Sequence, residues 1–359
     1  MTSIFNLTPE ELNEWLIQRG HPAFAANQII QWLYKHQVAS AEEMTNISKP
    51  LRADLLDHFD IDTPPIVDTH SDPSDGTQKV LFQLADGEGV ETVLMPQFTN
   101  VKTDPETGEV KNWHPGDIKE YTICVSTQVG CMYACRFCAS GQTGLKRHLT
   151  TGEIIAQLMA FLREKKNVTR IVFMGMGEPL HNLDQVKKAI EILSHPKGLG
   201  LSRRRFTVST VGLVPEIYRM AQEDWNVKLA VSLHSTTDEN RAKLIPLAQG
   251  YQLDQLMDAL RFYQRREGRR ISFEYLMIQG LNDTNKDAQR LKSLCEGIKA
   301  HFNLIPFNPT PNTSFQPSSP AAIQQFRLHL RKAGLDATVR YSRGRQIEGA
   351  CGQLRLRNL

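Results

Sequence analysis

The chain has 359 residues, 40% of them hydrophobic and 23% charged, the composition of an ordinary globular protein of about two domains. That excludes a disordered chain, a collagen-like repeat and a cysteine-dense disulfide scaffold, and no apolar run approaches the roughly 18 residues a membrane span needs. The opening MTSIFNLTPEELNEW brings acids where an export signal would be basic, so a cytoplasmic protein with no membrane partner is expected. The formal net charge of +3 hides an imbalance: residues 1–120 hold 8 Lys and Arg against 20 Asp and Glu, and residues 121–359 hold 34 against 19. A basic part this large suits a polyanion such as nucleic acid, and attraction between two oppositely charged domains is the simpler alternative.

In chain order, the first sixty residues read as short helices. Thr8-Pro9-Glu10-Glu11 supplies a cap, a proline at the first helical position and acids in the first turn, and Leu12, Trp15 and Leu16 follow at helical spacing. Pro22 opens a second helix through Ile29, Ile30, Trp32, Leu33 and Tyr34, and Pro64-Pro65 closes a helical domain over residues 1–65. Runs from Lys79 to Leu84 and from Val90 to Met95 flank the turn Asp86-Gly87-Glu88-Gly89, so residues 66–120 read as a β-hairpin linker followed by an exposed loop.

After residue 120 strands and helices alternate. Strands are expected at Tyr121 to Val125, Ile171 to Met174, Phe206 to Ser209, Leu229 to Leu233, Phe273 to Met277 and Phe302 to Ile305, with helices such as Ile154 to Leu162 and Leu253 to Tyr263 between them. Six units at about 30- to 40-residue spacing predict an α/β fold, a partial (β/α)6 TIM-like barrel over residues 121–341 with a tail over 342–359. Its chemistry then belongs at the carboxyl ends of the strands.

Cys131, Cys135 and Cys138 form a C-x3-C-x2-C run directly after the first barrel strand. Structural zinc wants four ligands, and no fourth Cys or His lies at a fitting local spacing, His148 being the nearest. Three thiolates suit an iron–sulfur cube with one iron left open to a substrate. The run, its place after the first strand and Phe137 before its last cysteine resemble the radical S-adenosylmethionine (SAM) superfamily, which implies a 4Fe–4S cluster whose open iron chelates SAM and cleaves it to a 5′-deoxyadenosyl radical. Met174-Gly175-Met176-Gly177-Glu178-Pro179 resembles the glycine and glutamate motif that meets the methionine end of SAM. By the same resemblance Ser209, Ser232, Leu233, His234 and Asn308, at later strand ends, are SAM contacts; from residue type alone each is an ordinary loop or strand-end group.

Two further cysteines narrow the resemblance. Cys124 precedes the cysteine run in Thr122-Ile123-Cys124-Val125, and Cys351 lies in Ala350-Cys351-Gly352-Gln353-Leu354; together with G-M-G-E-P these match the RlmN and Cfr family of RNA adenine methyltransferases over nearly the whole chain. The resemblance implies two SAM molecules per turnover. Cys351 takes a methyl group from the first, and the radical from the second removes hydrogen from that methyl, which then adds to the adenine ring. Glu91 is implied as the base that removes the ring hydrogen, and Cys124 as the thiol that releases the product by closing a transient disulfide with Cys351. From residue type alone Glu91 is a solvated hairpin carboxylate and Cys124 a core thiol. Cys295, on the apolar side of a predicted helix, reads as core.

The substrates implied are an adenosine of the peptidyl-transferase centre of 23S rRNA and, as a second one, an adenosine of the tRNA anticodon loop, with flavodoxin or ferredoxin as electron donor and a monomeric enzyme. Pro179 favours the RlmN branch, which methylates carbon 2, over the Cfr branch, which methylates carbon 8 and confers ribosome-antibiotic resistance. A non-methylating radical SAM enzyme and a metal-stabilised RNA-binding module are the rival classes. RNA contacts are expected from Lys146-Arg147-His148, Arg203-Arg204-Arg205, Arg265, Arg266, Arg269, Arg270, Arg343, Arg345, Arg355 and Arg357, though each alone is a solvated face by default. Residues 97–120 are longer than the family pattern, and Arg345-Gln346 stand where many members have acids.

Overall fold

A computed structural model describes the chain except for residues 100, 103, 105–107, 247–249, 310–312 and 355–359. Helix α1 (Pro9–Gln18) starts on a reciprocal cap: the Thr8 hydroxyl accepts the Glu11 amide at 3.2 Å and the Glu11 carboxylate accepts the Thr8 amide at 2.7 Å. Helix α2 (Ala25–Gln31) begins past Pro22 and widens into a π turn over Trp32–His36, and α3 (Lys49–His58) follows. Leu12, Leu16, Ile29, Leu33, Leu51 and Leu55 are buried in the same core as the barrel residues. Across that junction Lys188 pairs with Glu11 at 2.7 Å and Asn6 accepts the Gly152 amide at 2.7 Å.

One ten-stranded sheet carries the rest. Strands β1 (Ile66–Ser71), β2 (Gln78–Gln83) and β3 (Gly89–Phe98) are antiparallel. They are followed by β4 (Ile118–Cys124), β5 (Val168–Phe173), β6 (Phe206–Thr210), β7 (Lys228–Ser232), β8 (Ile271–Met277), β9 (Ala300–Pro306) and β10 (Asp336–Val339). These last seven are parallel neighbours in that order. The six expected barrel strands are present. The seventh, β10, lies outside that expectation because Asp336-Ala337-Thr338-Val339 is short and buries only Ala337.

The hairpin is not a separate linker. Strand β3 pairs with β4 from Phe98 opposite Ile118 to Val93 opposite Cys124, so the antiparallel strands extend the barrel sheet past its first member. Helices α4 (Thr151–Arg163), α5 (Leu183–Ser194), α6 (Val214–Gln222), α7 (Asp238–Leu244), α8 (Leu253–Glu267), α9 (Asn285–Leu294) and α10 (Pro320–Lys332) connect the parallel strands. The Thr92 hydroxyl donates to Gln157 of α4 at 2.6 Å, and Phe82 meets Phe161 of α4 edge-on. Those residues mark the helix-facing side, so by strand alternation Lys79, Glu91, Val93 and Cys124 face the inner side. Among the described residues no helix is long and apolar enough to cross a membrane.

Candidate active site

Beyond β4 the chain passes through a short strand, Gln128–Gly130, paired with Leu145–His148, and enters the cysteine run. Ala134 takes a left-handed φ of 49°, the Cys131 amide donates to Gly144 at 2.9 Å and the Cys138 amide to Cys135 at 3.0 Å, which folds the run into a tight loop. Burial pushes the Cys131 thiol up to about 12, with Glu178 and Cys138 adding to it, and Cys135 is raised further by burial and by its two fellow cysteines. Thiols that raise one another occupy a small volume, and three thiolates there require a cationic partner.

Among the described residues no three His, Cys, Asp or Glu side chains lie close enough to hold a single metal ion. An iron–sulfur cube, with irons at its corners, holds its ligands farther apart than a single ion does. Buried Arg241 lies within electrostatic reach of Cys135, and its Nε has no hydrogen-bond partner. A cube carrying three thiolates is net negative, so this cation matches it. The donor set therefore fits a 4Fe–4S cluster with one open iron.

The Gly-Met-Gly-Glu segment braces this loop. Gly177 has a φ of +99°, and a Cβ there would come within 2.6 Å of the Gln128 side chain, so only glycine permits the approach. The Gln128 side chain accepts the Glu178 amide at 2.7 Å. Glu178 is buried, and its carboxylate accepts the amides of Leu180 at 3.1 Å and Val211 at 2.9 Å. Burial raises it to about 7 against the pull of those bonds. Gly177 and Glu178 thus stand beside the cysteine loop and outside the wall of the cavity that Cys138 lines.

That cavity, about 630 Å³ including its open mouth, lies at the carboxyl ends of the parallel strands and is lined by Cys138, Ser209, Ser232, His234, Asn308 and Cys351 among others. The Ser209 hydroxyl donates to the Phe173 carbonyl at 2.8 Å. His234 accepts the Leu276 amide on Nδ1 at 3.2 Å, and burial followed by the nearby Arg241 holds its ring neutral, down to about 3. Asn308 donates to the Ser342 hydroxyl at 2.8 Å, which fastens the tail. Leu233 is core, its amide donates to Glu274, its carbonyl accepts the Ser235 amide, and it is not part of the lining.

The tail brings the distant cysteine in. Ala139 donates to the Gly352 carbonyl at 2.7 Å and the Ser140 hydroxyl to the Leu354 carbonyl at 2.6 Å, so Cys351 sits at the cavity mouth beside Cys138. Although the residue is exposed, crowding within the cavity pushes its thiol up and Arg340 draws it down. Cys124 is buried at the end of β4. Burial first, and then Cys351, push its thiol up to about 12. All six cysteines are free, and Cys295 is core as expected.

Glu91 is only 5% exposed, and Lys79, 4% exposed, pairs with it at 2.9 Å. It is therefore not the solvated carboxylate that its residue type suggests. Two further groups escaped the sequence reading. Glu274 of β8, a buried acid in the apolar run Phe273 to Met277, lines the cavity, accepts Asn303 at 2.8 Å and pairs with Arg340 at 3.5 Å. An acid at an inward strand position was the available signal for Glu274; Arg340 carried none.

The expected RNA cations lie in ion pairs, over rings or away from the cavity. Lys146 pairs with Glu88 at 2.7 Å, and Arg147 with Asp86 and Glu153, holding the hairpin tip to the ribbon. His148 accepts a contact from Gln128 at 2.9 Å. Arg203–Arg205 and Arg265–Arg270 precede β6 and β8, at the end of the barrel opposite the cavity. Arg343 and Arg345 lie over the rings of Phe98 and Tyr341. Arg355 and Arg357 fall outside the described residues. In the acidic front, Arg19 is bound to Asp54 and Arg52 to the Glu42 carbonyl.

Residues 125–291 match the radical SAM superfamily, and residues 2–61 match the ribosomal RNA large subunit methyltransferase N-terminal domain. The probable dual-specificity RNA methyltransferase RlmN of Lysinibacillus sphaericus (strain C3-41) is 42% identical over 357 residues, covering 98% of this chain and 88% of the relative. That of Geobacillus kaustophilus (strain HTA426) is 41% identical over 360 residues, covering 99% and 93%. The crystal structure of a radical SAM methyltransferase from Sphaerobacter thermophilus superposes with a TM-score of 0.88 at 42% identity and 99% coverage of both chains. The chain belongs to the RlmN family of radical SAM RNA methyltransferases, enzymes that use a 4Fe–4S cluster and SAM.

Proposed function

We propose that this chain methylates carbon 2 of an adenine in the peptidyl-transferase centre of 23S rRNA and of an adenosine in the tRNA anticodon loop, with Cys351 as methyl carrier, Glu91 as base and Cys124 as resolving thiol. The observation that carries this reading is the tail contact from Ala139 to Gly352, which sets Cys351 into the cavity that also holds Cys138, with Cys124 close by.

Cys131, Cys135 and Cys138 hold the cluster, which together with SAM supplies one-electron chemistry and a hydrogen-abstracting carbon radical. Glu178, fixed by two backbone amides, presents a carboxylate to the ammonium of SAM; Ser209, Ser232, His234 and Asn308 offer polar groups to its remainder. A neutral His234 presents its Nε2 side without adding charge. Cys351 accepts a methyl group on Sγ as a thiolate, which Arg340 favours. Once the methyl carbon is bonded to the ring, the adduct carries an unpaired electron that the cluster, when bound, would take back, and Glu91 takes the proton from the substituted ring carbon. The Cys124 thiolate then attacks Sγ of Cys351. A Cys124–Cys351 disulfide forms, the carbon–sulfur bond breaks with its electron pair on carbon, and that carbon gains a proton to become the product methyl.

In this reading residues 1–65 are an accessory domain that helps hold RNA, residues 66–120 supply Glu91 and Lys79, residues 121–341 form the catalytic barrel, and residues 342–359 carry the methylated thiol. A flavodoxin or ferredoxin donor, a monomeric state and a cytoplasmic setting complete it. Nucleoside mass spectrometry of 23S rRNA and tRNA after reaction with the reconstituted enzyme tests it. The expected product is 2-methyladenosine in both, whereas 8-methyladenosine, or no methyladenosine, overturns the assignment.

A further inference from the structure

Across three strands the register sets Lys79 of β2 opposite Val93 of β3, and Val93 opposite Cys124 of β4. Glu91 lies two residues along β3 from Val93 and therefore shares this face. The three strands stand about 4.8 Å apart, so lysine, carboxylate and thiol form one compact group on the inner side. Lys79 and Glu91 are 4% and 5% exposed and meet at 2.9 Å. The Ser126 hydroxyl donates to the Glu91 carbonyl at 2.6 Å, and the Glu91 amide contacts the sulfur of Met176 at 3.4 Å, so the backbone under the carboxylate is also fixed.

Packing does not require this pair. A buried ion pair contributes little net stability, and apolar side chains of similar volume serve as well or better in such a place. The surrounding inward positions Val93 and Cys124 are themselves apolar or nearly so. What a buried ammonium does here is electrostatic: desolvation drives an isolated carboxyl towards its neutral form, and an opposite charge within hydrogen-bonding distance favours the ionised one. A neutral Glu91 could accept no proton.

We propose that Lys79 is a positioning residue of the methyl-transfer reaction, holding Glu91 ionised and aimed along the inner face towards the ring carbon attached to Cys351. This rests on the reading of Glu91 as the base. Among the described residues, the groups on this side of the three strands include Lys79 from β2 and Cys124 from β4, and Arg340 acts on Cys124. The tail, whose charged residues there are Arg343, Arg345 and Glu348, packs across the lead-in to β2, with the Gly344 and Gln346 amides on Asp75 and Asp72. Lys79 stands on a strand adjacent to Glu91, so the pair ties two strands together and restricts the carboxylate to one orientation.

The test follows loss of the covalent RNA–protein adduct in single-turnover reactions of the cluster-loaded enzyme across a pH series. Lys79→Gln is expected to move the acid limb of adduct resolution up by about 1–3 pH units, and Lys79→Arg to bring it back towards the wild-type position. An unmoved limb in Lys79→Gln overturns the proposal. If Glu91→Gln itself resolves the adduct at the wild-type rate, the base assignment fails; a block in Glu91→Gln beside an unmoved Lys79→Gln limb removes Lys79 alone. A second measurement needs no lysine variant to fold. The infrared carboxylate band of Glu91, isolated in ¹³C-glutamate protein by difference against Glu91→Gln, is expected to stay in its ionised position down to about pH 5, and a band that titrates at neutral pH or above overturns the proposal.

Discussion

The amide of Ala139 donates to the carbonyl of Gly352 at 2.7 Å, joining the residue after the third cysteine to the residue after Cys351. Gly352 has a φ of +81°, and a Cβ there would lie 2.9 Å from the Phe137 carbonyl. Gly352→Ala therefore combines left-handed strain with a backbone clash, a cost of about 1–2 kcal/mol or more. That is enough to free the tail roughly tenfold more often. The expected result is a lower fraction of methylated Cys351 by intact-protein mass spectrometry, with the cluster absorbance unchanged. Full methylation would show that the tail docks by other contacts.

Cys124 and Cys351 are both free thiols, and Cys351 acts electrostatically on Cys124. In Cys124→Ala the RNA is expected to remain attached to Cys351 and to accumulate as a slow-migrating species on denaturing gels. Cys351→Ala is expected to give neither adduct nor product. Release of methylated RNA by Cys124→Ala at the wild-type rate would remove Cys124 from the reaction.

Much of this site was legible because its pieces are local. The cysteine run, the Gly-Met-Gly-Glu turn and six strands each declare themselves within a few residues, and the cap at Thr8 and Glu11 formed as its spacing dictates. What escaped depends on pairing between distant segments. Glu91 was solvated by residue type and is buried because β3 joins β4 and the hairpin extends the sheet. Lys79 had no distinguishing feature until the register set it beside Glu91. Arg340 follows a strand too short and polar to announce itself.

The role proposed for Glu178 at the SAM ammonium predicts a pH dependence of SAM binding. Its carboxyl lies at about 7 because burial outweighs the bonds from Val211, Thr210 and Leu180. Below that pH it must lose a proton before it can meet an ammonium, so affinity is expected to fall up to about tenfold per pH unit below 7 and to level off above it. Anaerobic calorimetry with cluster-loaded protein measures this, and Glu178→Gln should bind weakly with no such slope. Linkage also gives the sign for the cluster-free chain. The folded state holds this proton more tightly than the unfolded state, so the contribution of Glu178 to stability is greatest below 4.5 and declines, by at most about 3 kcal/mol, as pH rises to about 7.

Arg340 lowers the thiols of both Cys351 and Cys124 against the burial that raises them. Its side chain is 35% exposed, so solvent screens its influence. Arg340→Met is expected to slow iodoacetamide alkylation of Cys351 about tenfold at mildly alkaline pH, with Arg340→Lys between it and the wild type. Site-resolved peptide mass spectrometry separates Cys351 from the other thiols. Unchanged alkylation would assign Arg340 to holding Glu274 alone.

Charge arithmetic pointed to a polyanion, and the fold now distinguishes which cations can meet it. Lys146 and Arg147 are committed to Glu88, Asp86 and Glu153, where they clamp the hairpin that carries Glu91 against the cysteine-loop ribbon. Arg203 and Arg204 sit at the amino end of β6, across the barrel from the cavity. A side chain that neutralises an RNA phosphate adds roughly 0.7–0.9 to the slope of log affinity against log salt. Arg147→Ala and Arg204→Ala are therefore expected to leave that slope unchanged for a 23S rRNA fragment. They should differ in a second measurement: Arg147→Ala speeds hydrogen exchange in β2 and β3, because the clamp is lost, and Arg204→Ala does not. A slope reduced by about one in Arg147→Ala would mean that its ion pairs open to admit RNA, making the hairpin clamp itself part of substrate binding.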